Sequence, residues 1–253
     1  MTSNETNVIE IFSSIQGEGP YIGYRQLFIR FALCNLSCAY CDTKFNPQDY
    51  CKIEECPGSE SFKEIKNPVT VEQLIHEINR LTYFHHHSLS LTGGEPLLNW
   101  EFLNQFLSEY QETGLDDTLK IYLETNGTLP EELEKVVDKI DIVSMDFKLE
   151  SSNGKPAPWD KHREFIRIIQ KNNKEVFVKI VLTSKVSPDE VEQTADLILE
   201  LDKKIPVILQ PVDSKDKELI PEPVKLLEVQ EALLRKLPDV RIIPQIHKYL
   251  SLL

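Results

Sequence analysis

The sequence predicts an α/β fold, a partial, open (β/α)6-type barrel formed as a single domain over residues 1–253. Three observations carry this. Short apolar runs alternate with helical segments from about residue 70 onward, the pattern of parallel strands covered by helices. About six such units fit the length, too few for a closed eight-unit barrel. The chain's unusual polar and glycine-rich motifs each fall just after a predicted strand, where barrels build their sites.

Taken in order, an N-terminal extension opens with a strand at 8–12 (Val-Ile-Glu-Ile-Phe). It leads into Ser13-Ser14-Ile15-Gln16-Gly17-Glu18-Gly19-Pro20, a polar, glycine-rich loop. A strand over 26–33, apolar with the alternation of a half-buried segment, delivers Cys34-Asn35-Leu36-Ser37-Cys38-Ala39-Tyr40-Cys41-Asp42-Thr43. Residues 44–68 hold Cys51, Cys56, three prolines and many charges, and read as an irregular surface insertion.

Thr70-Val71-Glu72-Gln73 is a capping box that opens a helix to about Leu81. Strands follow at 88–91, 119–123, 140–145, 175–182, 205–209 and 239–243, with helices at 100–111, 130–138, 159–171 and 223–236 between them. Another helix begins at Ser187-Pro188-Asp189-Glu190, which combines an N-cap serine, an N1 proline and an N3 glutamate. The strand ends carry Thr92-Gly93-Gly94-Glu95-Pro96, Glu124-Thr125-Asn126-Gly127, Asp146-Phe147-Lys148, Gln210-Pro211 and Pro244-Gln245. In a parallel sheet such ends gather on one face, so Cys34–Cys41, Gly93–Glu95, Glu124–Gly127, Asp146–Lys148 and Gln210–Pro211 converge on one site.

Composition sets the class. With 41% hydrophobic and 27% charged residues the chain is an ordinary globular protein. No apolar run reaches the roughly 18 residues of a membrane span, and Met1-Thr2-Ser3-Asn4-Glu5 lacks a signal peptide's regions, so a cytoplasmic protein is expected. A net charge of −13 argues against nucleic acid as a partner. Five cysteines, three of them clustered, favour metal binding in a reducing compartment over disulfides. Three thiolates at such spacing can hold an iron–sulfur cluster with one iron left open. Spacing alone leaves a structural zinc, with a fourth ligand elsewhere, as an alternative.

Cys-x3-Cys-x2-Cys, with Tyr40 before the last cysteine, resembles the radical S-adenosylmethionine (SAM) signature, and Gly93-Gly94-Glu95-Pro96 resembles that superfamily's second motif. The resemblance implies a partial, open radical SAM barrel with an N-terminal extension and an insertion after the cluster loop. Ser14-Ile15-Gln16-Gly17-Glu18-Gly19 narrows it. With Arg30, Cys41-Asp42-Thr43, Glu124-Thr125-Asn126-Gly127 and Pro244-Gln245 it is similar to the 7-carboxy-7-deazaguanine synthase family, over about residues 8–248.

That likeness implies a lyase that contracts the ring of 6-carboxy-5,6,7,8-tetrahydropterin to 7-carboxy-7-deazaguanine, releasing ammonia, in deazapurine (queuosine-type) biosynthesis that ends either in a modified tRNA base or in a secondary metabolite. It implies a 4Fe–4S cluster on Cys34, Cys38 and Cys41, SAM as a reusable cofactor, and magnesium on Thr43. The pterin would meet Ile15, Gln16, Gly17, Arg30 and Thr92. SAM would meet Tyr40, Asp42, Gly94, Glu95, Glu124, Asp146, Phe147, Lys148, Gln210, Pro211, Val212 and Asp213. An external electron donor such as flavodoxin or ferredoxin, and a homodimer, are also implied. The family often shows Ser-Pro-Lys where this chain has Asp146-Phe147-Lys148.

The residues support part of this by themselves. A threonine hydroxyl suits hard magnesium, and Arg30 offers a planar fork matched to a carboxylate, although a surface ion pair is an equal reading for Arg30. Alternation puts Phe177, Lys179 and Val181 on one strand face, so Lys179 points either to an anionic ligand or to a buried acidic partner. His85-His86-His87 reads as a polar loop, and Cys51 and Cys56 as incidental thiols. Two rivals stay in view: another radical SAM enzyme, such as a glycyl-radical-enzyme activase, and a zinc-stabilised protein without catalysis.

Overall fold

A computed structural model describes residues 4–38, 40–41, 45–114, 118–250 and 252. Its main sheet has ten strands. A parallel series runs in chain order through β3 (Arg25–Phe31), β7 (Ser88–Gly93), β8 (Lys120–Thr125), β9 (Ile142–Asp146), β10 (Glu175–Leu182), β11 (Val207–Pro211) and β12 (Val240–Ile242). The crossovers carry α1 (Val71–Leu81), α2 (Trp100–Glu112), α3 (Pro130–Glu134), α4 (Glu150–Asn153) with α5 (Trp159–Lys171), α6 (Pro188–Asp202) and α7 (Pro223–Leu234). Among the described residues the sheet does not close on itself, and β12 and β5 (Phe62–Lys66) are its two edges.

Strand alternation decides what each face does. Leu89, Leu91, Leu123, Val143, Met145, Val178, Ile180 and Leu209 join the core under the helices. Residues of the opposite parity make a second, smaller cluster of Tyr122, Ile142, Phe177 and Ile208. One step further along the same strands that face becomes polar, with Glu124, Ser144, Lys179 and Gln210. An apolar floor under a polar layer is the side-chain layering that parallel barrels use inside.

Local signals act as written. Thr70 accepts from the Gln73 amide while the Gln73 side chain accepts from the Thr70 amide, and Ser187 and Glu190 form the same box on α6. The helix expected at 130–138 is shorter, and after Glu134 the chain continues into a 3-10 turn at Val137–Lys139.

The expectation for 44–68 is corrected. Its described part is no irregular insertion. β4 (Tyr50–Glu54) pairs parallel with β2 (Val8–Ile15), and β5 (Phe62–Lys66) pairs antiparallel with β4, so a hairpin extends the sheet beyond β2. The alternation that fixes it is Cys51 and Ile53, both fully buried, against exposed Tyr50 and Lys52. A two-residue strand, β1 (Glu5–Thr6), pairs with β6 (Val69–Thr70) just before α1.

Candidate active site

The ends of the parallel strands open onto a cavity of about 820 Å³. Its wall takes residues from the cysteine loop, the glycine motif, the ends of β8 to β11, β2 as far as Ile15, the 16–18 loop that follows it and the hairpin. The strand-end convergence expected from the sequence is therefore present.

The glycine motif is built to touch the cysteine loop. Gly93 has φ +122, and a Cβ on Gly94 would meet the Leu33 carbonyl oxygen at 1.8 Å. The Gly94 and Glu95 amides donate to the Phe31 and Leu33 carbonyls at 3.1 and 2.8 Å. Leu33 itself takes φ +70 as the chain leaves β3 and turns into the loop.

Glu95 has a different place from the one expected. It is fully buried, and its oxygens accept from the Thr125 hydroxyl (2.8 Å) and the Leu97 (3.1 Å) and Asn126 (2.8 Å) amides. Burial pushes its carboxyl up to about 7 against the opposing pull of those donors. It joins the ends of β7 and β8 and stands just behind the cavity lining.

Cys34 and Cys38 are half-buried and Cys41 is exposed, and all three line the cavity. The Leu36 amide points at Cys34 Sγ (3.4 Å), and burial pushes that thiol up despite the contact. Among the described residues no group of three or more His, Cys, Asp or Glu converges on a single ion. In an iron–sulfur cluster each thiolate takes its own iron, and three cysteines on one cavity wall suit that donor set.

A buried ionic chain crosses the polar layer. Lys148 Nζ donates to Asp146 Oδ2 (2.7 Å) and to the Tyr40 hydroxyl (3.2 Å). Lys179 pairs with Asp146 Oδ1 (3.3 Å) and, more closely, with Glu18. Burial alone would lower both lysines. Asp146 chiefly holds Lys148 well above its ordinary value, and Asp146 and Glu18 do so for Lys179. Burial likewise would raise Glu18, yet Lys179 and the Gln245 amide hold its carboxyl at about 2. Lys179 thus faces the cavity with acidic partners of its own.

The 16–21 loop explains itself through these contacts. Gln245 and Gln210 donate to Glu18 Oε1 at 2.7 and 3.3 Å, and the Ile246 amide donates to the Gly17 carbonyl at 2.9 Å. A Cβ on Gly17 would meet His247 Nδ1 at 2.1 Å, and one on Gly19, at φ +65, would meet the Phe177 ring at 2.7 Å. The loop leaves β2, lies over the apolar floor and ties itself to β10, β11 and the segment after β12. Gln16 belongs to the same scaffold. Its Nε2 donates to Glu124 (2.9 Å) and Gln26 (3.1 Å), and its Oε1 accepts the Glu18 amide (3.0 Å). Thr92 also donates to Glu124 (2.6 Å).

Of the residues expected at the site, Ile15, Gln16, Gly17, Arg30, Thr92, Tyr40, Gly94, Glu124, Asp146, Lys148, Gln210, Val212 and Asp213 line the cavity with the three cysteines. Glu95, Phe147 and Pro211 do not. Phe147 is buried and stacks on His162, centroids 4.6 Å apart, because its strand parity turns it to the helix side. Asp42 and Thr43 lie outside the described residues. Sequence reasoning missed Glu18, Gln245, His247 and the hairpin side chains as parts of the wall. Glu18 sat inside the quoted motif, and its charge between two glycines was the available signal.

Comparison with known proteins agrees. A model of the radical SAM superfamily matches residues 28–198. The 7-carboxy-7-deazaguanine synthase of Geobacter sulfurreducens is 42% identical over 246 residues, covering 96% of each chain. That of Archaeoglobus fulgidus is 37% identical, covering 97% of this chain and 98% of its own. The crystal structure of QueE from Escherichia coli superposes with a TM-score of 0.56 at 17% identity, covering 95% of this chain and 94% of that one, a likeness of fold.

Proposed function

This chain belongs to the radical SAM superfamily and, within it, to the 7-carboxy-7-deazaguanine synthases, and from that premise we propose that its cavity contracts 6-carboxy-5,6,7,8-tetrahydropterin to 7-carboxy-7-deazaguanine and ammonia. Product and ammonia together contain the atoms of the substrate, so no net oxidant is needed. When bound, the cluster and SAM supply reversible hydrogen-atom abstraction. The single observation that carries the reading is the meeting of the cysteine loop, the Gly94 wall and Arg30 around one polar cavity.

The chain's own residues hold and orient. Cys34, Cys38 and Cys41 would bind the cluster, and Gly94 brings the β7 backbone against that loop. Tyr40, Asp146, Lys148 and the 210–213 segment form the side of the cavity for SAM. Arg30 has its Nη1 and Nη2 edge free of hydrogen bonds among the described residues and is matched to the pterin carboxylate. Glu124, fixed by Thr92 and Gln16, offers acceptor edges to the ring's N–H donors.

The reading extends to magnesium on Thr43 with the substrate carboxylate, an external donor such as flavodoxin or ferredoxin, a homodimer and a cytoplasmic location. No described helix is long and apolar enough to cross a membrane. Neither a glycyl-radical-enzyme activase nor a zinc-stabilised binding protein is favoured, given relatives that match along nearly the whole chain. The test is anaerobic turnover with the carboxylated tetrahydropterin, SAM and a reductant. The expected product is 7-carboxy-7-deazaguanine by mass, with SAM not consumed in proportion. A brown, cluster-loaded protein that leaves the pterin untouched defeats the proposal.

A further inference from the structure

A row of alternating charge crosses four strands on the cavity wall. Arg30 on β3 stands in register with Glu10 on β2, Glu10 with Lys52 on β4, and Lys52 with Glu64 on β5. All four residues line the cavity. Among the described residues the innermost pair is the closed one: Arg30 Nε donates to Glu10 Oε1 at 2.6 Å, and each side chain is 23% exposed. The guanidinium carbon also lies 5.4 Å from the centroid of the Phe12 ring, which is itself stacked on Phe28 at 5.1 Å.

Arg30 is therefore held twice, by Glu10 at Nε and by an aromatic face. Arg30 lines the cavity, and its Nη1 and Nη2 have no hydrogen-bond partner among the described residues. An arginine free to rotate carries about 2 kcal/mol of rotamer entropy that would be lost on binding. One that is already pinned loses less, and this is the gain from preorganisation. A bare carboxylate beside the arginine would also repel an anionic ligand. Lys52, the next cation in the row, offsets that charge.

We propose that Glu10 is a positioning residue that aims the free edge of Arg30 at the substrate carboxylate, and so selects for the carboxylated pterin. This rests on the reading that Arg30 receives that carboxylate. It also gives the hairpin a part in the site, since β4 completes the row behind Glu10.

The test measures equilibrium binding of two ligands to cluster-loaded protein without SAM, so that no turnover occurs: 6-carboxytetrahydropterin, and tetrahydropterin lacking the carboxylate. Glu10→Ala is expected to weaken the carboxylated ligand about tenfold, the scale of one charge-assisted hydrogen bond, and to leave the other ligand unchanged. Glu10→Gln keeps an acceptor for Nε and is expected to recover part of the loss, about threefold weaker than wild type. Arg30→Ala is the control for the premise. If Arg30→Ala loses the carboxylated ligand while Glu10→Ala binds it normally, Glu10 is a surface partner and the inference fails. If Arg30→Ala binds normally, the reading of Arg30 itself fails. Equal weakening of both ligands by Glu10→Ala shows general damage to the wall, and overturns the inference as well.

Discussion

Gly94 and Leu33 are in backbone contact so close that no side chain fits between them: a Cβ on Gly94 would lie 1.8 Å from the Leu33 carbonyl oxygen. The strand-end glycines thereby hold the entry to the cysteine loop, one residue before Cys34.

Gly94→Ala should displace that entry. Overpacking against backbone costs about 1–3 kcal/mol, and here the displaced atoms lead directly to a thiolate. We expect iron content after anaerobic reconstitution to fall by more than half while the apoprotein stays folded by circular dichroism. Full iron loading in the variant would show that the loop tolerates the shift.

Glu18 sets a pH dependence. Its folded carboxyl is held at about 2 against an ordinary 4.5, so its contribution is complete above 4.5 and is lost as pH falls from there toward 2. Glu18→Gln should lower stability by roughly 2–3 kcal/mol at pH 7. The gap to wild type should close by about pH 2. Denaturant midpoints across this window check it, and a gap that persists unchanged at the acid end contradicts it.

The cysteines divide into two groups. Cys38→Ala should abolish both the cluster and turnover. Cys51→Ala with Cys56→Ala should leave iron and activity nearly unchanged, because Cys51 is fully buried on the helix side of β4 with its thiol pushed by burial to about 12. Removing that buried sulfur should still lower stability by about 1–2 kcal/mol. Iron analysis beside thermal melts separates the two groups.

Thr43→Ala should cost about a hundredfold in turnover, the scale of losing one positioning contact, with the cluster spectrum intact. Added magnesium should not restore the rate. A normal rate with normal magnesium dependence would return Thr43 to a turn-capping role.

Periodicity and capping made the parallel series legible, because helix and strand periods are local properties of the chain. The trace of Cys51 and Ile53 was equally local, but it covered five residues flanked by charge. Its partner strand, Phe-Lys-Glu-Ile-Lys, turns no strongly apolar face to the core, and pairing supplies what composition could not. The motif residues were legible as a set, their individual duties less so. Glu95 and Gln16 also carry scaffold hydrogen bonds, and nothing nearby in the sequence announces that Thr125, Asn126, Glu124 and Gln26 are their partners. Glu18 finds Lys179 across 161 positions, and only the folded sheet brings them together.

The ties between Gly17 and Ile246, and between Glu18 and Gln245, have a consequence for biosynthesis. Translation delivers the two sides of each contact roughly 10–50 s apart at 5–20 residues per second. Through that interval the early strands and the cysteine loop exist without the segment that seals the floor. A ribosome-bound chain holds its three thiols on an unfinished wall, open to oxidants and to stray metals. Cluster delivery to the released, completed chain is the course that matches this order of events.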